Sequence, residues 1–210
     1  MKKILLALIL PTIAMFSCEE GSTSIKVEKN LSKSKELIYH FNTAGHINEV
    51  ASISAKALID ELTDDKEFFT DDYTITRLTV ESLEVTLLPK AGNTASGLNT
   101  TTALASYVTL DSEAMLLSDE PIGMGEGANE LINSHLLIAG VERLNNFLKG
   151  AIGDEGLKTL FVQVTGNTVP TNAKAVADLK LKLNFNLEYW YCQESIIPLL
   201  VDIEEDGCKR

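Results

Sequence analysis

A mainly β fold, an antiparallel β-sandwich with one or two short helices, is predicted by three observations. Ala175, Ala177, Leu179, Leu181, Leu183, Phe185, Leu187 and Tyr189 alternate with polar residues, from Asp178 and Lys180 to Glu188. That period of two marks a long strand with one dry and one wet face. Strands buried on both faces in a parallel sheet would read as continuous apolar runs instead. Short β-rich segments punctuated by Gly, Asn and Pro recur along the chain, and no βα alternation or internal repeat is visible.

The elements follow in order. Residues 24–28, 37–42 and 47–53 read as strands, and 55–62 as a short helix, although Ile47, Val50, Ala51, Leu58 and Leu62 also share a helical face. Residues 73–88 are rich in Thr, Ile and Val, but the apolar phase shifts from Leu78 and Val80 to Leu83, Val85 and Leu87. This one-residue slip predicts a β-bulge or a strand break at Glu81-Ser82. Gly92 to Thr102, with Gly, Asn, Ser and Thr in quick succession, reads as an exposed loop, and residues 104–110 as a strand. Val141, Leu144, Phe147 and Leu148 define a helix over 141–151, and Gly140 argues against an earlier start. Residues 157–165 form a strand, and Gly166-Asn167 and Pro170 mark the loop of a hairpin leading to the final strand.

The N-terminus carries a different signal. Lys2 and Lys3 precede an uncharged apolar run, Ile4 to Phe16, that ends in Ser17-Cys18. This is the order of a secretory signal and is too short for a permanent membrane span. Met15-Phe16-Ser17-Cys18 resembles a lipobox, with Met15 and Phe16 standing where the family pattern favours Leu and a small residue. The resemblance implies cleavage before Cys18 and a lipid on that cysteine. Glu19 and Glu20, followed by the polar tether Gly21-Ser22-Thr23-Ser24, are similar to the acidic export signal of Bacteroidetes lipoproteins. The chain is accordingly divided into a signal peptide (1–17), a lipidated cysteine with its tether (18–24) and one β-rich domain (25–210). The implied location is the outer membrane, lipid-anchored and on the cell surface.

The 210 residues carry a net charge of −12, which becomes −14 once Lys2 and Lys3 leave with the signal. Such a surface repels phosphate backbones, so no nucleic-acid partner is expected. With Cys18 lipidated, Cys192 and Cys208 remain as a candidate disulfide in an oxidising compartment.

No catalytic motif emerges. Gly123-Met124-Gly125-Glu126-Gly127-Ala128 fits a loose dinucleotide pattern, but Asp119-Glu120 precedes it and two carboxylates repel phosphates, so it reads as a loop. His40, His46 and His135 lack zinc-ligand spacing, and no Gly-x-Ser-x-Gly elbow is present. Asp64, Asp65, Asp71 and Asp72 crowd one loop around Phe68-Phe69 and are weak calcium candidates; without the spacing of an EF-hand they read as a solvated acidic loop. No cofactor is expected.

Tyr189, Trp190 and Tyr191 are consecutive, so at least one ring faces away from the core. Trp190, with Tyr107, is the candidate ligand contact, since a flat aromatic face suits the apolar side of a pyranose. The sequence therefore predicts a membrane-anchored, non-enzymatic binding or structural module of the cell envelope with a protein or glycan partner. The alternative is a carrier of lipid or another hydrophobic ligand, with an apolar cavity between sheet and helix.

Overall fold

A computed structural model describes residues 24–64, 73–105, 114–125, 129–132, 136–153, 159–194 and 208. By internal contacts the chain divides into residues 27–192, which hold every buried core residue among the described ones, and a second unit formed by 1–26 and 193–210. Only residues 24–26, 193–194 and 208 of the second unit are described.

The elements are β1 (Ser24–Ala44), β2 (His46–Ser54), α1 (Ala55–Thr63), β3 (Tyr73–Pro89), β4 (Gly97–Ala105), β5 (Ala114–Gly123), β6 (Asn129–Ile132), α2 (Ile138–Ile152), β7 (Thr159–Val169) and β8 (Lys174–Glu194). They form two four-stranded sheets, ordered β1-β8-β3-β6 and β2-β7-β4-β5. The partners β1 and β2, β8 and β7, β3 and β4, and β6 and β5 hold corresponding places in the two sheets. Among the described residues the antiparallel β-sandwich is thus wound as an eight-stranded jelly roll, in which all but one of the connections between successive strands carry the chain from one sheet to the other.

This winding corrects the expected hairpin at the C-terminus. β7 and β8 are sequential and joined by a short turn at Pro170–Ala173, yet each belongs to a different sheet. β7 also runs through Gly166-Asn167, which pair with Ile47 and His46 of β2 instead of forming a loop. Most of the stretch read as an exposed loop, Gly97 to Thr102, is strand β4, bonded on both sides by β5 and β7. Thr100 and Thr102 are buried there, a pattern that polar composition disguised.

β1 is one edge strand where two separate strands were expected. Its inward-facing series Leu31, Lys33, Lys35, Leu37, Tyr39 and Phe41 keeps the period of two but substitutes lysines midway. Inward-pointing charge on an edge strand blunts pairing with other chains, and Lys35 finds Glu61 on α1.

The predicted slip in β3 is a real bulge: its register against β8 shifts between Val80 and Ser82. Both phases then face inward, burying Leu78 and Val80 before it and Leu83, Val85 and Leu87 after it. β5 and β6 were not anticipated. Of the Gly123–Ala128 motif, residues 126–128 lie outside the described residues; Gly123 ends β5, and the next element is the strand β6, where phosphate binding needs a helix N-terminus.

Ser54 caps α1 by accepting from the Ala57 amide, and Leu58 and Leu62 carry its buried stripe. α2 begins at Ile138, three residues before the expected start, because Gly140 belongs to its packing face. A Cβ there would lie 2.5 Å from Leu116 Cα, so the missing side chain lets the helix lie directly on β5. Tyr39 crosses the core: from β1 its phenol donates to the Val162 carbonyl of β7, 2.9 Å away, and burial pushes its pKa well above the ordinary value. A buried bond of this kind ties the two sheets at one point in register.

Candidate functional site

Alternation in β8 places Trp190. Ala175 through Tyr189 point into the sandwich and are buried, while the even-numbered residues face outward. Trp190 stands half-buried on the outer face of the β1-β8-β3-β6 sheet. Behind it, Tyr189 stacks on Tyr191 with ring centroids 6.4 Å apart and meets Tyr73 edge-on at 6.5 Å.

A second register shift in β3, between Ile75 and Arg77, makes Thr76 an extra residue opposite β8. Its hydroxyl donates to the Glu188 carbonyl at 3.1 Å. Bulges bend a strand and re-aim its side chains, and here the bend borders a groove of about 400 Å³ lined by Glu28, Lys29, Asn30, Thr76, Glu188, Tyr189 and Trp190. The groove combines the aromatic residues Trp190 and Tyr189 with carboxylate, ammonium, amide and hydroxyl groups. Such a set can stack on a ring and hydrogen-bond hydroxyls around its rim. The Arg77 guanidinium, 3.6 Å from the Glu188 carboxylate, offsets part of its charge.

Farther along the same face the polar residues pair with each other. Lys180 meets Glu36 at 3.0 Å and Lys182 meets Glu84 at 2.9 Å. Asp178 accepts from Lys90 at 2.6 Å and lies 2.7 Å from His40 Nδ1. Lys90 first, then His40, hold the Asp178 carboxyl below its ordinary value, and Asn184 and Lys182 do the same for Glu84. The unfolded chain therefore binds these protons more tightly than the folded one. The stabilisation is present above the unfolded carboxylate pKa of about 4 and is lost as pH falls through the lowered folded values. Asp178→Asn is expected to cost about 1 kcal/mol at pH 7, in keeping with a solvent-accessible pair, and to flatten the loss of stability below about pH 4. Urea midpoints across that range check this; parallel pH profiles for variant and parent would contradict it.

Of the described residues singled out in the sequence as ligand contacts, Trp190 lines this groove, next to Tyr189. Tyr107, Cys18, Glu19, Glu20, Asp65, Asp71, Asp72 and His135 lie outside the described residues. Asp64 is exposed just after α1. His40 lies on β1 beside Asp178 while His46 opens β2 in the other sheet, so the two do not form a joint site. Among the described residues no group of three or more His, Cys, Asp or Glu is placed to hold a metal ion. Cys192, in β8, is disulfide-bonded, and so is Cys208.

Glu28, Asn30, Thr76 and Glu188 were missed by the sequence reading. One signal for Thr76 was present: Tyr73 and Ile75 are in one phase and Leu78 and Val80 in the other, a slip like that at Glu81.

Fold and groove together define a jelly-roll domain with an aromatic-centred cleft on one outer sheet face. No family model and no curated protein matches the chain. Among solved structures it is similar to a decameric BFDV capsid protein, at 11% identity, with 80% of this chain and 100% of that one covered and a TM-score of 0.30. Desmodium yellow mottle tymovirus matches at 12% identity, 92% and 98% coverage and a TM-score of 0.32. Turnip yellow mosaic virus matches at 13%, 97% and 94% coverage and 0.30. The jelly-roll winding follows from the strand order of the two sheets.

Proposed function

We propose that this protein is a lipid-anchored, surface-exposed lipoprotein of the outer membrane and acts as a non-enzymatic glycan-binding module. The observation that carries the binding reading is Trp190, held half-buried on an outward sheet face beside Glu28, Asn30, Thr76 and Glu188. Anchorage is supported by the lipobox-like Met15-Phe16-Ser17-Cys18 and the acidic Glu19-Glu20 after it. Neither the Trp190 groove nor the cleft between β3 and α2 is lined by residues 181, 183, 185 or 148, which a carrier would need as cavity walls, and this favours a surface site over an internal one.

Two arms test the reading. Cys18→Ala should abolish labelling by a radioactive fatty acid and release the protein from membranes; retained label would overturn lipidation. The mature chain carrying Cys18→Ser should bind glycans on an array, and Trp190→Ala should reduce that signal about tenfold or more, as loss of a stacking aromatic does. A Trp190→Ala variant with an unchanged array profile and an unchanged circular dichroism spectrum would remove the groove from consideration.

A further inference from the structure

We infer that the glycan bound at Trp190 is anionic and crosses the sheet transversely, from the Trp190 groove over the Thr76 bulge into a second cleft between β3 and α2. The inference rests on the glycan-binding reading above and names the class of ligand. The second cleft has a volume of about 350 Å³ and, like the first, is lined by Thr76, the extra residue of the bulge. Each volume lies within the span of about 300–1,000 Å³ typical of small-ligand sites. In the sheet order β1, β8, β3, with α2 packed on β3, the two clefts adjoin across one strand. The line joining them runs across the strands.

The charge of the second cleft is opposite to that of the protein. On a chain of net −12, its lining contains two cations, Arg77 and Lys149, and no carboxylate. Arg77 is shared with Glu188 of the first groove, whereas Lys149 has no ion pair among the described residues. Lys149 lies in the last turn of α2, where the helix dipole favours a cation over an anion. An anion there needs both basic groups, which ties its binding to their presence.

One unsatisfied group points the same way. Among the described residues the buried side-chain oxygens lacking any hydrogen-bond partner are Asn145 Oδ1 and Asn186 Oδ1. Asn145 lines the second cleft; Asn186 lies on β8, outside it. Unpaired buried acceptors cost stability. A ligand carrying hydroxyl donors beside a carboxylate or sulfate supplies what Asn145 lacks together with what Lys149 and Arg77 attract. An acidic sugar residue next to the one stacked on Trp190 has this chemistry.

The test uses the mature chain carrying Cys18→Ser with three calorimetric probes: trigalacturonate, its methyl ester, and a sulfated galactose trisaccharide. The ester keeps the rings and removes the charge; the sulfated probe separates a carboxylate requirement from a general anion requirement. At least one acidic probe should bind about tenfold more tightly than the ester, the scale of a charge-assisted contact. Lys149→Gln should bring that ratio to about one, while Trp190→Ala weakens charged and esterified probes alike. Asn145→Leu should lower affinity and raise the urea midpoint together, because the orphaned acceptor disappears. Equal, Trp190-dependent affinity for acid and ester would overturn this inference and leave the glycan reading standing. Binding by none of the three probes would also overturn it, and the neutral sugars of the array then decide the parent reading separately. A Lys149→Gln variant that keeps the acid preference would overturn it as well.

Discussion

Phe147→Ala is expected to destabilise the protein by about 3–5 kcal/mol, the range for deleting a large aromatic from a close-packed core. Phe147 is fully buried on α2, within a stripe completed by Gly140, Leu144 and Leu148. α2 packs on β3 and β5, which belong to opposite sheets, and on α1. The phenyl ring therefore anchors an element that touches both layers, and its loss leaves a cavity that close contact at Gly140 prevents the helix from collapsing into. Chemical denaturation should show a large fall in midpoint at constant slope. Ile138→Ala on the same helix serves as the control: Ile138 is 76% exposed, and its truncation should change stability by no more than about 0.5 kcal/mol. Similar effects for the two variants would refute the packing role assigned to α2.

Gly166→Ala is expected to cost about 3 kcal/mol, at the upper end of ordinary overpacking, and to loosen the β4–β7 pairing specifically. A Cβ at Gly166 would lie 2.1 Å from the Asn99 carbonyl oxygen and 3.1 Å from Thr100 Cα, all backbone atoms that cannot swing aside. Gly166 pairs with Thr100 on one side and Ile47 on the other, so neither neighbour strand can retreat without breaking a ladder. The effect is steric, since Gly166 is not among the glycines with positive φ and alanine tolerates its backbone. Amide exchange should accelerate first at residues 97–105 and 159–169. Uniform acceleration in both sheets, or none, would contradict a local clash.

These two sites show how unevenly the fold is written in the chain. Phe147 and its stripe follow from helical spacing, and β8 follows from an unbroken period of two, so both are local patterns. Gly166 looks like a turn residue in isolation. It is a strand residue because Asn99 passes too close for any side chain, and that proximity links positions more than sixty residues apart. β4 was likewise hidden by Gly, Asn and Thr, whose burial depends on having β5 and β7 on either side. β1 was divided in two because lysines interrupt its apolar series at a sheet edge, where inward charge is tolerated.

The candidate site divides in the same way. Outward placement of Trp190 was open to sequence reasoning, because neighbouring residues on a strand face opposite sides and Tyr189 continues the apolar series. Its companions Glu28, Thr76 and Glu188, and the cleft made by Arg77, Asn145 and Lys149, come from three strands and a helix. By itself the sequence determined the β-rich class, the long strand β8, both helices and the bulge at Glu81, since each depends on residues a few positions apart. Only the tertiary structure decided the jelly-roll winding and the composition of both clefts. Sheet membership and register are set by pairings between distant segments, and no local period records them.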